Sequence, residues 1–431
     1  MFVFSKKLKN YLSGNFKNTV LFLCILFISC GRTPKLVSQA ASEEKASSQN
    51  TVSSTKKDIV TGANQIEKYI NLLKDKRVAI VGNQTSVIFK NSTSNQDTIS
   101  YVHLVDSLQS LGINIVKVFA PEHGFRGQKD AAETVSDGKD VKTGVPVVSL
   151  YGKNKKPSAA ALSETDIIIF DIQDVGVRFY TYISTLHYVM QSCAENKIPL
   201  LLLDRPNPNG HYIDGPTLES KYKSFLGMHP IPLVHGMTIG EYAKMINGQG
   251  WLGDDLTCYL MVIPITNYTH DLPYHLPIRP SPNLPNDRAI ALYPSLGFFE
   301  GTTINAGRGT EMQFQIFGSP DLPLEEFDFA YTPQPNFGAK HPKHEGKICY
   351  GSDLRQHSKI QGVNLQWLIE AYNASKAKDN FFKKASFTAH AGSETLQKQI
   401  EQGISLEEIE KGWQQDILRF KKIREKYLLY P

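Results

Sequence analysis

The stretch "DIIIFDIQDVG" (Asp166–Gly176) decides the fold class, because four large apolar residues in a row precede two aspartates and a glycine. A short unbroken apolar run bounded by polar residues and glycine is typical of a strand that is buried on both faces of a parallel sheet. Four further stretches repeat the pattern: "RVAIVGNQ" (77–84), "INIVKVFAPEHG" (113–124), "VPVVSLYG" (145–152) and "IPLLLLDRPNPNG" (198–210). We therefore expect an open, Rossmann-like parallel sheet.

The segments between these strands carry apolar residues at helical spacing. Residues 66–75, 99–111 and 185–197 each predict a helix. Strands that alternate with helices are typical of an α/β fold, which we assign to residues 59–255. After residue 256 prolines accumulate and a helix-rich tail follows, so residues 256–431 predict a smaller α+β C-terminal domain.

The N-terminus predicts an export signal with a lipid anchor. Residues 1–29 combine lysines with the apolar run "VLFLCILFIS", and Cys30 follows directly, as at the processing site of a bacterial lipoprotein. Residues 30–58 hold almost no large apolar residues and predict a flexible tether behind the lipidated Cys30. We expect an exported, lipid-anchored protein of the bacterial cell envelope, in the periplasm or at the outer membrane. An ordinary cleaved signal and a single membrane anchor are the alternatives.

The net charge argues against a nucleic-acid partner. The chain has a formal charge of +5, but four lysines and no acid lie before residue 30, which leaves +1 (five minus four) for the remainder. Nucleic-acid-binding proteins need a concentrated basic face, so we expect no nucleic acid among the partners.

Polar side chains follow the predicted strands at the point where each strand ends. In open parallel sheets the ligand crevice lies outside the carboxyl ends of the strands, so these side chains should meet at one site. They are Asn83, Gln84, Glu122, His123, Asp171, Asp174, Asp204, Arg205 and Asn207. The sequence has no three-glycine dinucleotide fingerprint, no P-loop and no GxSxG elbow. The convergence thus indicates an active or binding site without naming its chemistry.

One chemistry that fits these residues is glycoside hydrolysis, in which a carboxylic acid protonates the departing oxygen. Glu122 is the best proton donor, because its proline, glycine and apolar neighbours favour a desolvated carboxyl. A surface-loop glutamate is the structural alternative. Asp171 and Asp174 could supply a second carboxyl or hold the substrate. For each of them, a helix cap or a buried salt bridge to Arg178 is the alternative.

The other chemistry is a metal site. His123, Asp171, Asp174, Asp204 and His235 are possible ligands, but the sequence contains no HExxH or comparable spacing. A histidine outside such a motif is more often a structural residue than a ligand, and we expect no metal.

Further candidates come from aromatic residues and from loops of the C-terminal part. Tyr180 and Tyr182 offer phenols, although aromatic residues that precede a helix are more often part of the core. The later candidates lie in loops: Asn283, Glu300, Asn305 and Arg308. Arg205 or Arg308 could pair bidentately with a carboxylate on a substrate.

A series of motifs in one order resembles a known family, the NamZ-type exo-β-N-acetylmuramidases, long catalogued as a domain of unknown function. The motifs are "NQTS", "APEHGFRG", "FDIQDVGVRFYTYIST", "LDRPNPNG", "GPTLE", "HGMTIGE", "PSPNLP", "EGTTINAGRGT" and "FGSP". The resemblance runs from about residue 60 to the C-terminus and covers nearly the whole expected mature chain. After "GRGT" the chain departs from the family pattern with Glu311-Met312-Gln313-Phe314, which puts the substrate preference in doubt if that loop touches the sugar.

The resemblance implies a Rossmann-like domain followed by a smaller C-terminal domain, with the active cleft between them. It implies a glycoside hydrolase that removes β-1,4-linked N-acetylmuramic acid (MurNAc) from the non-reducing end of peptidoglycan fragments, without a metal or an organic cofactor. It points to Glu122 as the catalytic residue and to the tyrosines and aspartates of residues 170–185 as cleft residues. MurNAc carries a carboxylate, which would give arginines of the cleft a purpose.

We therefore expect an exo-acting muramidase with Glu122 as general acid and with fragments that contain MurNAc and N-acetylglucosamine (GlcNAc) as its partners. Two alternatives stay open: a non-catalytic muropeptide-binding lipoprotein and a metal-dependent esterase or amidase. The expected catalytic residues are Glu122, Asp171, Asp174, Tyr180 and Tyr182. The expected substrate-binding residues are Asn83, Gln84, His123, Arg126, Arg178, Asp204, Arg205, Asn207, His235, Asn283, Glu300 and Arg308.

Overall fold

The computed structural model describes residues 57–90, 100–127, 137–253, 255–358, 360 and 362–431. The expected signal peptide, the lipidated Cys30 and the tether up to residue 56 lie outside the described residues. In the part of the chain that is described, no helix is long and apolar enough to cross a membrane.

The described residues contain twelve strands, which form one large sheet and two small ones. The strands are β1 (Val78–Gly82), β2 (Val87–Phe89), β3 (Tyr101–His103), β4 (Ile115–Ala120), β5 (Gly138–Lys139), β6 (Pro146–Ser149), β7 (Ile167–Asp171), β8 (Leu200–Leu203), β9 (Leu260–Ile263), β10 (Ile316–Ser319), β11 (Phe329–Tyr331) and β12 (Cys349–Asp353). The large sheet has the order β5-β6-β4-β1-β7-β8-β9, and all its neighbouring strands are parallel except the edge pair β5 and β6. The carboxyl ends of its parallel strands therefore share one edge, as the sequence predicts.

Side chains of the central strands alternate between two hydrophobic cores, one on each face of the sheet. In β7, Ile168 and Phe170 join one core, whereas Ile167 and Ile169 join the other. Every residue of β1, β7 and β8 is buried. Burial on both faces explains why these strands are nearly all apolar, with Asp171 at the end of β7 as the exception, and it confirms the Rossmann-like α/β assignment.

Ten α-helices are present among the described residues, and they include the layers that cover the sheet. They are α1 (Ile70–Leu73), α2 (Leu104–Ser110), α3 (Ala159–Leu162), α4 (Tyr182–Asn196), α5 (Ile239–Gly248), α6 (Asp287–Leu296), α7 (Gln366–Ala374), α8 (Lys384–Ala391), α9 (Thr395–Glu401) and α10 (Leu406–Arg424). Buried residues of α4 belong to one core and those of α2 to the other, so these two helices cover opposite faces.

The prediction of a helix over residues 99–111 was wrong in its first part. Tyr101–His103 forms strand β3, which pairs with β2 as an antiparallel hairpin, and the helix begins at Leu104. The ring of His103 accepts a hydrogen bond from the backbone N–H of Val105 (3.3 Å) and thereby caps α2. A tertiary pairing has overridden the local helical pattern.

The C-terminal part is smaller and contains an antiparallel sheet with the order β10-β12-β11. Helices α7 to α10 follow this sheet in the chain. Strand β9 lies after residue 256 but belongs to the large sheet, where it pairs with β8. The division of the chain between residues 255 and 256 stays a prediction.

Candidate active site

A cavity of about 240 Å³ brings together six of the residues that the sequence predicts for the site. Two of them are carboxylates, and one is an arginine. The six are Glu122, His123, Tyr180, Asn283, Glu300 and Arg308. They come from the loop after β4, from the segment before α4 and from loops of the C-terminal part.

Glu122 is presented by a tight turn directly after β4. The backbone N–H of Gly124 donates to the carbonyl of Pro121 (3.0 Å), which closes the turn around Glu122 and His123. The third residue of the turn, His123, has φ +70, and Gly124 has φ +78. A positive φ is uncommon for a residue with a side chain, and such strain concentrates at functional sites. The backbone thus turns sharply where the sheet ends and places Glu122 in the cavity wall.

The Glu122 carboxylate is held by a hydroxyl group. Oγ1 of Thr181 donates to Oε2 of Glu122 at 2.7 Å. Burial, followed by the negative charge of Glu122, raises the pKa of the Tyr151 phenol. Thr181 and Tyr151 line the same cavity.

Glu300 and Arg308 form an ion pair in the lining of the same cavity. Nη1 of Arg308 donates to Oε2 of Glu300 at 3.0 Å, and both side chains stay partly accessible. Burial would raise the pKa of Glu300, but the positive charges of Arg308 and Lys343 outweigh burial and lower it. Glu300 is therefore ionised at neutral pH.

The ammonium of Lys343 fixes the short 3-10 helix that carries Glu300 (Gly297–Gly301). It donates to the carbonyls of Phe299 (2.7 Å) and Thr302 (2.9 Å), among others. Burial lowers the pKa of Lys343 to about 8.

Aromatic rings form much of the cavity wall. Tyr293 packs edge-on against Tyr180 (5.9 Å between ring centroids) and Phe314 (4.9 Å). The hydroxyl of Tyr180 donates to the carbonyl of Pro280 at 2.8 Å, so this ring cannot swing freely. Such a mixture of rings and a few polar groups is typical of a site for a small organic ligand.

Several predicted residues support the site from outside the cavity lining. Nδ2 of Asn83 donates to the hydroxyl of Tyr182 (2.9 Å), a ring that is buried behind Tyr180. Nε2 of Gln84 donates to the carbonyls of Arg279 and Pro280 (both 3.1 Å), which precede the lining residue Ser281.

Two predicted arginines are likewise held outside the lining. Arg126 forms ion pairs with Asp106 (3.1 Å) and Asp140 (2.7 Å) and thereby ties down the loop after β4. The fully buried Arg178 donates to four backbone carbonyls.

Asp171 and Arg205 pair with each other instead of reaching the cavity. Nε and Nη2 of Arg205 donate to the two carboxylate oxygens of Asp171 at 2.6 and 2.8 Å, and both side chains are buried. This bidentate pair joins the ends of the neighbouring strands β7 and β8. Neither residue lines the cavity, so their roles in catalysis and binding stay predictions without geometric support.

Asp204 and Asn207 anchor backbone turns next to β8. Asp204 accepts from the hydroxyl of Thr238 (2.7 Å), from the N–H of Gly240 (2.8 Å) and from the hydroxyl of Tyr430 (2.6 Å). Burial raises the pKa of Asp204 to about 6. Asn207 donates to the carbonyl of Met237 (2.9 Å). These contacts fix the start of α5 and the C-terminal residues against the sheet.

Asp174 and His235 lie close to each other, and both are buried. Nε2 of His235 is 4.0 Å from Oδ2 of Asp174, which accepts from the N–H of Gly176 (2.7 Å). Among the described residues, no group hydrogen-bonds with Oδ1 of Asp174 or with Nε2 of His235. Burial raises the pKa of Asp174 to about 7 and lowers that of His235 to about 3. The pair is therefore largely uncharged at pH 6.

A larger cavity of about 390 Å³ lies beside the segment that follows β8. Its lining includes Tyr212, Tyr274 and the ion pair of His275 with Asp287. Asp287 and His275 are exposed, whereas the smaller cavity holds two partly buried carboxylates, of which Glu122 lies at the carboxyl end of β4. The smaller cavity is therefore the better candidate for chemistry that needs a controlled carboxyl group.

The described residues contain no group of three or more histidine, cysteine, aspartate or glutamate side chains placed to hold a metal ion. His123 lines the cavity, while the other four possible ligands are absent from its lining.

Eight lining residues were missed by sequence reasoning: Tyr151, Phe179, Thr181, Leu226, Ser281, Leu284, Tyr293 and His390. A further lining residue, Phe314, belongs to the loop after "GRGT" that departs from the family pattern. Tyr151 had a signal, because it follows strand β6 in the same way that Glu122 follows β4. Phe179 and Thr181 lie inside a quoted motif. His390 comes from α8 and lies more than 200 residues after Thr181 in the chain, so no local pattern in the sequence indicates that it lines the cavity.

Comparison with known proteins agrees with this architecture. Residues 78–288 match the family described as "Exo-beta-N-acetylmuramidase NamZ, N-terminal", and residues 291–430 match "Exo-beta-N-acetylmuramidase NamZ, C-terminal". The chain is 37% identical over 380 residues to peptidoglycan beta-N-acetylmuramidase NamZ of Bacillus subtilis (strain 168), a match that covers 84% of this chain and 89% of that protein.

Two crystal structures of DUF1343 family proteins from Bacteroides fragilis NCTC 9343 share the fold. One has a TM-score of 0.77 at 45% sequence identity and covers 87% of this chain and 99% of its own. The other has a TM-score of 0.72 at 26% identity and covers 86% of this chain and 99% of its own.

The raised pKa of Asp174 makes stability depend on pH. The folded carboxyl ionises near pH 7, whereas an unfolded aspartate ionises near pH 3.9. The stabilising contribution of the protonated group is thus fully present below about pH 4 and is lost as pH rises through 7. Asp174→Asn cannot ionise. Between pH 4 and 8, the wild type should lose on the order of 3 kcal/mol more unfolding free energy than this variant.

Urea unfolding at a series of pH values measures this difference. The matched control is Asp379→Asn at an exposed aspartate, which should follow the wild-type pH dependence. If the unfolding free energies of the wild type and Asp174→Asn change with pH in parallel, ionisation of Asp174 does not cause the loss of stability.

Proposed function

Because the chain belongs to the NamZ family of exo-β-N-acetylmuramidases, we propose that it releases MurNAc from the non-reducing end of peptidoglycan fragments. It is a glycoside hydrolase, and the curated relative from Bacillus subtilis is named for action on peptidoglycan. In this proposal Glu122 is the general acid, and Arg308 binds the carboxylate of the sugar.

The observation that carries the proposal is that Glu122, Glu300 and Arg308 line one cavity at the carboxyl edge of the sheet. Cleavage of a glycosidic bond leaves negative charge on the departing oxygen and positive charge on the sugar ring. Glu122, when protonated, supplies the proton that the oxygen needs. Glu300 is held ionised beside Arg308, and its negative charge favours the positive charge on the ring.

The 2-acetamido group of MurNAc offers a nucleophile within the substrate. Glycosidases that use this route do not need a second protein carboxylate as nucleophile. Asp171 is paired with Arg205, and Asp174 is absent from the cavity lining. The cavity therefore suits a mechanism with one acidic glutamate and assistance from the substrate.

The positive charge of Arg308 is complementary to the lactyl carboxylate, the group that distinguishes MurNAc from GlcNAc. Of the candidate arginines, Arg126, Arg178 and Arg205 are held outside the lining, whereas Arg308 lines the cavity and pairs there with Glu300. A guanidinium can bind a carboxylate with two parallel hydrogen bonds.

The role of Glu122 is tested with two substrates of different leaving-group quality. Glu122→Gln should cleave the disaccharide MurNAc-GlcNAc about 10²–10⁴-fold more slowly than the wild type, because general acid catalysis contributes about this much. It should lose far less activity on 4-nitrophenyl β-N-acetylmuramide, because nitrophenolate leaves without a proton. Rates are measured with EDTA present throughout, and exposed Glu164→Gln is the matched control.

Each alternative gives its own result in this assay. Binding of the disaccharide without turnover by the wild type would indicate a binding protein. Activity that EDTA abolishes and a divalent metal restores would indicate a metal-dependent hydrolase. Equal losses of Glu122→Gln on both substrates would contradict the proton-donor role.

The role of Arg308 is tested by comparing two sugars that differ in the lactyl group. Arg308→Gln should weaken binding of MurNAc by about 10–100-fold, the range expected for a hydrogen bond between charged groups. Its affinity for GlcNAc should not change. Calorimetric titration with both sugars measures the two affinities, and Arg288→Gln, an arginine outside the cavity, is the control. Equal weakening of both sugars would point to a structural role.

We also propose that the enzyme is exported and anchored through a lipid on Cys30, as the N-terminal sequence pattern supports. An anchored enzyme on a tether would meet peptidoglycan fragments in the cell envelope. Expressed in a bacterial host with labelled fatty acid, the full chain should incorporate label, and Cys30→Ser should not. Cys24→Ser, inside the expected signal peptide, should label like the wild type. Equal labelling of Cys30→Ser and the wild type would contradict the proposed lipid anchor on Cys30.

A further inference from the structure

Tyr151 reaches the cavity by the same route as Glu122, from the end of the neighbouring strand. Strands β4 and β6 are parallel neighbours, and Ala120 is paired with Ser149. The N–H of Leu150 donates to the carbonyl of Ala120 (2.8 Å), so the two strands stay in register to their ends. Glu122 and Tyr151 each lie two residues beyond the paired residues, and both line the cavity.

The position of Tyr151 is fixed by its surroundings. Its N–H donates to Oγ of Ser149 (3.1 Å), and the N–H of Ser149 donates to Oδ1 of Asp137 (2.8 Å). The ring lies against Phe225 at 6.3 Å between centroids. A side chain that is held this way loses little freedom when it hydrogen-bonds with another group.

The hydroxyl of Thr181 donates to Oε2 of Glu122 at 2.7 Å, and Tyr151 lines the same cavity as this carboxyl. Burial, followed by the negative charge of Glu122, raises the pKa of Tyr151. The phenol therefore keeps its proton at neutral pH and remains a donor. A second hydroxyl donor, from a different element, thus shares the cavity lining with the carboxylate that Thr181 holds.

We infer that the Tyr151 hydroxyl donates a hydrogen bond to Glu122, and that Tyr151 is thereby a positioning residue that orients the carboxyl group and stabilises its ionised form. This inference rests on the proposed role of Glu122. A donor that favours the ionised carboxylate makes the protonated acid release its proton more readily. The hydrogen bond also limits rotation of the carboxyl group, which keeps its proton aimed at the cavity.

The pH–rate profile of Tyr151→Phe tests this inference. The substitution removes one oxygen and keeps the ring against Phe225. Without the donor, the ionised carboxylate is less stable, so the limb of the profile that reports Glu122 should move to higher pH by about 0.5–1 unit. The value of kcat for MurNAc-GlcNAc should fall on the order of tenfold, while KM changes less than about twofold.

Tyr188→Phe is the matched control, because Tyr188 also stacks on Phe225 (6.3 Å) but is absent from the cavity lining. This variant should keep the wild-type profile and rate. A Tyr151→Phe enzyme with an unmoved profile and an unchanged kcat would overturn the inference.

Which limb of the pH–rate profile shifts in Tyr151→Phe also distinguishes a failure of this inference from a failure of the proposed function. A shift of the alkaline limb supports both, because a general acid must be protonated to act. A shift of the acidic limb supports the link between Tyr151 and Glu122 but shows that Glu122 acts as a carboxylate. An inactive wild type overturns the proposed function, whereas an active wild type with an unaffected Tyr151→Phe overturns the inference alone.

Discussion

The hydrogen bonds of the fully buried Arg178 guanidinium are the interaction on which the lining of the cavity depends. It donates to four backbone carbonyls, among them those of His390 (3.0 Å) and Ala391 (2.9 Å) at the end of α8. Burial lowers the pKa of Arg178 to about 9, and the carbonyl groups at the C-terminus of a helix favour its positive charge. The next three residues, Phe179–Thr181, line the cavity, and so does His390. A single cation thus ties together two segments of the lining.

The polar residues at the sheet edge divide into those that hold the edge together and those that face the cavity. Asp171 and Arg205 neutralise each other at the ends of β7 and β8, and Asp204 holds the start of α5. Burying a charge is costly unless it is paired or hydrogen-bonded, so these groups take one another as partners. Glu122 projects from the turn after β4 instead, and there it meets Glu300 and Arg308 from the C-terminal part.

The sequence was sufficient for five of the seven strands of the large sheet, because unbroken aliphatic runs occur where a strand is buried on both faces, but it did not predict the edge strands β5 and β9. It also predicted the edge of the sheet at which the candidate site lies. It could not tell which strand-end residues face the cavity, since the partner of Asp171 is 34 residues away and a partner of Asp204, Tyr430, is 226 residues away. Tyr151 could have been predicted, because it follows β6 in the same way that Glu122 follows β4. The hairpin strand β3 was missed because its pairing with β2 is tertiary.

The most direct test is a crystal structure of Glu122→Gln with intact MurNAc-GlcNAc bound. The glycosidic oxygen should lie about 2.6–3.2 Å from the side-chain amide of residue 122, the reach of a proton donor. The lactyl carboxylate should contact Arg308. A disaccharide bound in the larger cavity beside Tyr274 and His275, or a glycosidic oxygen beyond the reach of residue 122, would contradict the account.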